Sequence, residues 1–183
     1  MQRIGFFGTQ SVGKTTLLNA LRSEPAFVDA TFFTGLTRKL EQQGYKIKEA
    51  GDDDTQLQIA RLHMERIILS DNFITDRTIL DCLAYTIYLY RRNKVKKETV
   101  DKIYAYTNFI LPYYTHLFYV PIEFDNVEDG LRSVDPEFRK EIDDIMNKDM
   151  VVDGLITVRH TIHRLSGSVV QRTNRVYELV KGF

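Results

Sequence analysis

Eight consecutive residues, Gly8-Thr9-Gln10-Ser11-Val12-Gly13-Lys14-Thr15, fit the pattern G-x-x-x-x-G-K-S/T throughout. Glycine at either end allows backbone conformations that a side chain would block, so successive amides can turn inward around phosphate oxygens. A helix opening at Gly13 brings its positive end to the same place. Lys14 suits the β- and γ-phosphates of a nucleoside triphosphate, and the Thr15 hydroxyl suits Mg²⁺. Gln10, Ser11, Val12 and Thr16 complete the lining of such a cradle. The flanks agree. Apolar Ile4–Phe7 reads as a buried strand, and Leu17, Leu18 and Leu21 give the next segment one apolar helical face. The pattern implies triphosphate binding.

Three more segments carry charge that such a site could use. Asp76-Arg77 follows the apolar run Phe73–Thr75. Phosphoryl transfer needs positioning and charge neutralisation more than covalent chemistry, which suits an arginine beside a bound phosphate. The same residues also suit a helix start, with Asp76 as the cap and Arg77 paired to Asp81 one turn on. Thr34-Gly35-Leu36-Thr37-Arg38 offers a small-residue turn with an arginine in the next helix, either a ligand or a surface cation. Glu128-Asp129-Gly130-Leu131-Arg132-Ser133, with Arg139 seven residues after Arg132, fits an arginine-bearing loop or an ordinary solvated helix.

The run Val12–Leu21 looks like the opening of a small GTPase. However, no glycine has an aspartate three residues before it, and Asn147-Lys148-Asp149-Met150 carries Met where a guanine-reading Asp belongs. No apolar run ends in paired acidic residues, which disfavours a large oligomeric ATPase module. By contrast, Phe73-Ile74-Thr75-Asp76-Arg77-Thr78-Ile79-Leu80-Asp81-Cys82-Leu83-Ala84-Tyr85 resembles the strand–Asp-Arg–helix segment of P-loop nucleoside and nucleotide kinases, thymidylate kinases above all.

The resemblance implies that Asp76 and Arg77 face the phosphate loop across a cleft. Arg77 would hold the acceptor or the transferring phosphate. Asp76 would help place Mg²⁺ or take the attacking hydroxyl's proton, and Arg38 and Asp81 would join Arg77 on the acceptor side. A lid over roughly 123–148 would close with Arg132 and Arg139 on the phosphates, expelling water. Thr34–Arg38 is loosely similar to the acceptor-phosphate turn of nucleoside monophosphate kinases. Ribosylnicotinamide-kinase-type domains carry an acid three residues before the arginine; here that position is Gly35. A hydroxyl acceptor would then need another base, and Asp76 is the candidate.

The resulting expectation is an ATP- and Mg²⁺-dependent kinase acting on a nucleoside or nucleoside monophosphate, with Lys14, Asp76, Arg77 and Arg132 catalytic. Thr15 and Asp76 are the metal ligands, and Arg139 joins the loop in binding ATP. Two alternatives stay open. A polynucleotide 5′-hydroxyl kinase would need a basic track such as Arg91-Arg92-Asn93-Lys94-Val95-Lys96-Lys97. A nucleotide-gated switch would act through a protein partner instead. Cations at a helix end and a solvated turn explain the basic run more simply, so nucleic acid is the less favoured partner.

These residues need a scaffold that places strand ends side by side. The apolar pattern alternates strands with helices, implying a three-layer α/β domain over 1–183 with a parallel five-stranded sheet. Strands are expected at Arg3–Phe7, Phe27–Phe33, Asn72–Thr75, His116–Ile122 and Leu155–Val158. Helices are expected over 13–22, 36–43, 78–92, 97–111, 136–148 and 168–181. One more helix, starting after Gly51-Asp52-Asp53-Asp54, should bury Leu57, Ala60, Met64, Ile67 and Ile68. The three aspartates read as caps rather than metal ligands. In such sheets ligands sit beyond the carboxyl ends of the strands.

Composition limits the classes. The chain has 183 residues, 43 % hydrophobic and 27 % charged, ordinary for one globular domain. Lys+Arg and Asp+Glu are both 25, so no global charge draws it to nucleic acid or an anionic membrane. A single Cys82 excludes an internal disulfide and fits a reducing compartment, where a packed thiol is expected. No stretch suits a membrane span or a leader, so a cytoplasmic location is expected. His63, His116, His160 and His163 lack metal-ligand spacing; His160 and His163 lie near the last strand, where they could flank adenine. The oligomeric state is left open.

Overall fold

The computed structural model describes residues 1–124, 135–152 and 162–181. In chain order it contains β1 (Arg3–Phe7), α1 (Lys14–Arg22), β2 (Thr31–Phe33), α2 (Leu36–Gln42), α3 (Asp53–Ile68) and β3 (Phe73–Thr75). Then come α4 (Ile79–Arg91), α5 (Lys97–Ile110), β4 (His116–Tyr119), α6 (Pro136–Asp144), β5 (Ile162–Arg164) and α7 (Val169–Lys181). The sheet runs β2-β3-β1-β4-β5 with parallel pairing throughout. This is the expected five-stranded α/β architecture.

The central strand shows why its sequence is almost wholly apolar. Successive side chains of a strand point to opposite faces, and both faces here are covered. Ile4 and Phe6 pack with Leu17, Leu18 and Leu21 of α1 and Val176 of α7. Phe7 points the other way, into the larger core built by α3, α4, α5 and α6. Gly5 faces that second core, where a Cβ would lie 2.6 Å from Thr78 and from the Tyr114 ring. Glycine is required there by close approach.

Pairing register sets the site. Gly5 lies beside Thr75 of β3, and Phe7 beside Tyr119 of β4. The phosphate loop, Asp76-Arg77 and the exit of β4 therefore emerge on one edge, the crevice where open parallel sheets bind ligands.

Two expectations shift, and one falls outside the described residues. The segment expected as β2 begins with a 3-10 turn, Pro25–Phe27, and only Thr31–Phe33 pairs. The strand expected at 155–158 lies outside the described residues, and the sheet's fifth strand is Ile162–Arg164. Helix α3 buries Thr55, Gln56, Ile59, Ala60, His63 and Ile67, whereas Ile68 is exposed. Its inward face borders a cleft as well as the core, so polar residues turn inward where periodicity alone favours Leu57 and Met64.

The two charge clusters, Asp52–Asp54 and Arg91–Lys97, make contacts within the chain. Asp52 accepts the Thr55 amide at 3.0 Å as the cap of α3, and Asp53 accepts the Lys96 amide and the Thr99 hydroxyl. In the basic run, Arg92 grips Glu141 with two bonds of 2.8 and 2.6 Å, joining α4 to α6. Lys97 pairs with Asp101 at 2.8 Å, and Lys94 donates to the Glu49 carbonyl. Cys82 is buried and free, and burial pushes its thiol up to about 12, which suits packing rather than nucleophilic work. Among the described residues no helix is long and apolar enough to cross a membrane.

Candidate functional site

The phosphate loop departs from Phe7 with Gly8 at φ 151°, where a Cβ would collide with the Val120 carbonyl. Ser11 (φ 58°) and Gly13 (φ 87°) take left-handed backbone, and α1 opens at Gly13 without a side-chain cap. Lys14, 6 % exposed, donates to the carbonyls of Gly8 and Thr9 and stands 3.9 Å from Asp81 Oδ1. The Thr15 hydroxyl donates to Asp76 Oδ2 at 2.9 Å. The two residues expected to share a cation, 61 positions apart in the chain, are thus in contact.

Both readings of Asp76-Arg77-Asp81 meet in one network. Thr78, rather than Asp76, caps α4, with Asp81 completing a capping box: Asp81 accepts the Thr78 amide at 2.8 Å. Arg77 Nη1 lies 3.4 Å from Asp81 Oδ1, the expected pair one turn apart. Burial works against the Arg77 charge, but Tyr85, Asp81 and Asp76 outweigh it and hold the guanidinium above its ordinary pKa. Burial is also the largest influence on Asp81 and raises its carboxyl, opposed by the Lys14 and Arg77 charges.

A cavity of about 220 Å³ joins these parts. One end is the loop, Gln10 to Thr16; the middle is Asp76, Arg77 and Asp81. The far wall comes from Thr34–Arg38 and Glu41, from Gln56, Ile59 and His63 of α3, and from Cys82 and Tyr85 of α4. Arg38, Arg77 and Asp81, expected on the acceptor side, therefore line the same space as the loop. Arg132 lies outside the described residues.

Arg139, expected to join the loop in binding ATP, meets the loop through the loop's backbone. Helix α6 is anchored by Phe138, which packs edge-on against Tyr85 and Tyr88 at 5.8 and 4.7 Å. That anchoring turns Arg139 inward, 5 % exposed, to donate to the carbonyls of Gln10 (3.1 Å), Ser11 (3.2 Å) and Phe124 (2.9 Å). His163 sits in β5 against Phe118 (5.5 Å), and His160 is outside the described residues.

Sequence reasoning passed over Gln56 and Arg172, and considered His63 only as a metal ligand. Gln56, 1 % exposed, accepts the Thr86 hydroxyl at 3.1 Å, which fixes its amide at the cavity wall. The available signal was a polar stripe, Gln56 and His63 around Ile59, at helical spacing on α3. Arg172 had no signal, because one arginine on an amphipathic helix reads as solvated.

His63, 3 % exposed, has its pKa lowered from 6.5 to about 3, first by burial and then by the charges of Arg66 and Arg77. The unfolded chain therefore binds a proton here that the folded chain refuses. Stability is untouched above pH 6.5 and falls as pH drops from there toward 3, by about 1.4 kcal/mol per pH unit. Urea midpoints between about pH 7.5 and pH 4.5, above most carboxylate titration, should fall for the unaltered chain and flatten in His63→Gln. Equal slopes in both proteins would mean that another group is responsible.

The comparisons with known proteins agree with this geometry. A family model described as an AAA domain matches residues 3–172. The chain belongs to that family. A search of curated proteins finds no match. Among solved structures, deoxyadenosine kinase from M. mycoides with the products dCMP and a flexible dCDP superposes with a TM-score of 0.73 at 15 % identity, covering 100 % of both chains. The same enzyme with bound dATP gives 0.70 at 14 % identity over 99 % of this chain and 100 % of that one. The NadR protein in complex with NR gives 0.70 at 16 % identity, covering 98 % of this chain and 51 % of NadR. This chain thus spans about half the length of NadR. The fold of this AAA domain family member is that of the P-loop nucleoside kinases.

Proposed function

We propose that the chain is a phosphotransferase that moves the γ-phosphoryl group of ATP onto a nucleoside or nucleoside monophosphate. The observation that carries the reading is the single cavity lined by Lys14 and Thr15 at one end and by Arg38 and Arg77 further along. The loop amides and Lys14 hold the donor phosphates. Arg77 neutralises charge on the transferring group, and Arg38 holds the acceptor. The Thr15 hydroxyl and Asp76 carboxylate, 2.9 Å apart, are hard oxygen donors of the kind Mg²⁺ accepts alongside phosphate oxygens. Bound there, Mg²⁺ would neutralise phosphate charge. Gly35 supplies no acid, so for a hydroxyl acceptor Asp76 is proposed as the base, a role alternative to holding Mg²⁺. Arg132 is the proposed residue for closing over the phosphates.

Labelled ATP incubated with nucleosides, their monophosphates, ribosylnicotinamide and 5′-hydroxyl oligonucleotides tests the reading. Transfer to a nucleoside or a monophosphate supports it; transfer to the oligonucleotide alone, or hydrolysis indifferent to every acceptor, rejects it. With the acceptor found, Arg77→Ala should lower kcat by about 10³-fold or more, the scale of an arginine acting on the transferring phosphoryl group. Activity within tenfold of the unaltered chain would remove Arg77 from that role.

A further inference from the structure

Two buried arginines bond to the backbone carbonyls of the phosphate loop. Arg139 of α6 donates through Nε to the Gln10 carbonyl at 3.1 Å and through Nη2 to the Ser11 carbonyl at 3.2 Å. Arg172 of α7, 2 % exposed, donates through Nη1 to the Val12 carbonyl at 2.7 Å. Three consecutive loop carbonyls are therefore held by two guanidiniums. The arginines are themselves tethered. Arg172 Nη2 lies 2.8 Å from Glu123 Oε2, which also accepts the Gly167 amide at 2.7 Å. Arg139 Nη1 donates to Phe124 O at 2.9 Å.

A trans peptide is planar, and its C=O and N–H point in opposite directions. A carbonyl held on one side therefore aims the next residue's amide to the other. Fixing the carbonyls of Gln10, Ser11 and Val12 aims the amides of Ser11, Val12 and Gly13 away from the arginines, toward the phosphate side. Ser11 needs such fixing, since its left-handed φ of 58° is sparsely populated for a residue with a Cβ. Gly13 suits the arrangement too: Arg172 Nη1 lies 3.4 Å from where its Cβ would stand. A cation on each carbonyl also polarises the peptide and strengthens its N–H as a donor to an anion.

We propose that Arg139 and Arg172 are positioning residues for the triphosphate, setting the aim and strength of the loop amides without touching the ligand. The inference rests on the donor site proposed above. It predicts a loss specific to the phosphates, because neither arginine lines the acceptor cavity.

The test measures binding of Mg·ATP and of inorganic tripolyphosphate by calorimetry, together with the KM of the acceptor, for Arg139→Met and Arg172→Met. Each variant should weaken both phosphate ligands equally, by about 10- to 100-fold, the worth of one charge-assisted hydrogen bond. The acceptor KM should move less than about twofold, and the double variant should lose less than the product of the singles, because both act on one loop. Arg139→Lys and Arg172→Lys keep the charge but lose the fork, so they should fall between. If a methionine variant does not fold, its lysine counterpart carries the test, with an expected loss of at least about threefold.

Folded variants that bind tripolyphosphate as tightly as the unaltered chain overturn the inference while leaving the donor site standing. So does a loss confined to ATP, which would place the arginines on the base side. An unaltered chain that binds neither ligand overturns the donor site, and the inference with it.

Discussion

Lys14→Ala is expected to lower phosphoryl transfer by about 10²–10³-fold or more in kcat, the range found when one preorganised donor to developing charge is removed. The ammonium lies within the loop, bonded to the Gly8 and Thr9 carbonyls, so its charge is already beside the amides that would receive phosphate. It is 6 % exposed, where little solvent could replace a lost charge. The folded state should change less than activity. Asp81 would keep Arg77 at 3.4 Å and the Thr78 amide at 2.8 Å, so its carboxylate would not be stranded. Steady-state rates and a urea curve on the same preparation separate the two effects. Transfer within tenfold of the unaltered chain, with the fold intact, would show that the loop does not hold the donor.

Asp81→Asn should have the largest effect on stability. The carboxylate is 2 % exposed and joins three features: the Thr78 cap of α4, Arg77 one turn back, and Lys14 from the loop. Removing its charge leaves two cations with a neutral amide. Breaking a buried pair this way costs about 3–5 kcal/mol; Arg77 is a quarter exposed, so solvent absorbs part and the lower end, about 3 kcal/mol, is expected. Thr78→Ala, which removes only a cap, should cost about 1 kcal/mol. Urea midpoints decide between them, and a loss below that of the cap variant would remove Asp81 from its central place. Mg·ATP should raise the midpoint of Asp81→Asn more than that of the unaltered chain, because phosphate would return negative charge to Lys14 and Arg77.

Much of this was legible before any coordinates. The cradle from Gly8 to Thr15, the strand before it and the helix after it follow from local rules: glycine where a Cβ would collide, apolar continuity where both faces are covered, and apolar spacing along α1. Asp76-Arg77 at the end of an apolar run was equally readable, as was the Arg77–Asp81 pair one helical turn apart. Asp52 was readable as a cap because a cap bonds only three residues ahead.

Three things depended on how distant segments meet. The buried face of α3 could not be assigned from periodicity, because Gln56 and His63 turn inward only where the helix borders the cleft. The segment expected as the last strand, 155–158, lies outside the described residues, and the edge strand Ile162–Arg164 carries almost no pattern of its own. Arg139 read as a solvated or phosphate-seeking cation and Arg172 carried no signal; their partners are carbonyls 129, 128 and 160 positions away. Local spacing thus specified the elements and the loop's chemistry, since glycine geometry, capping and periodicity act over a few residues. Which side chains surround that loop was settled by the order of the strands and the packing of α6 and α7, contacts with no signature in neighbouring residues.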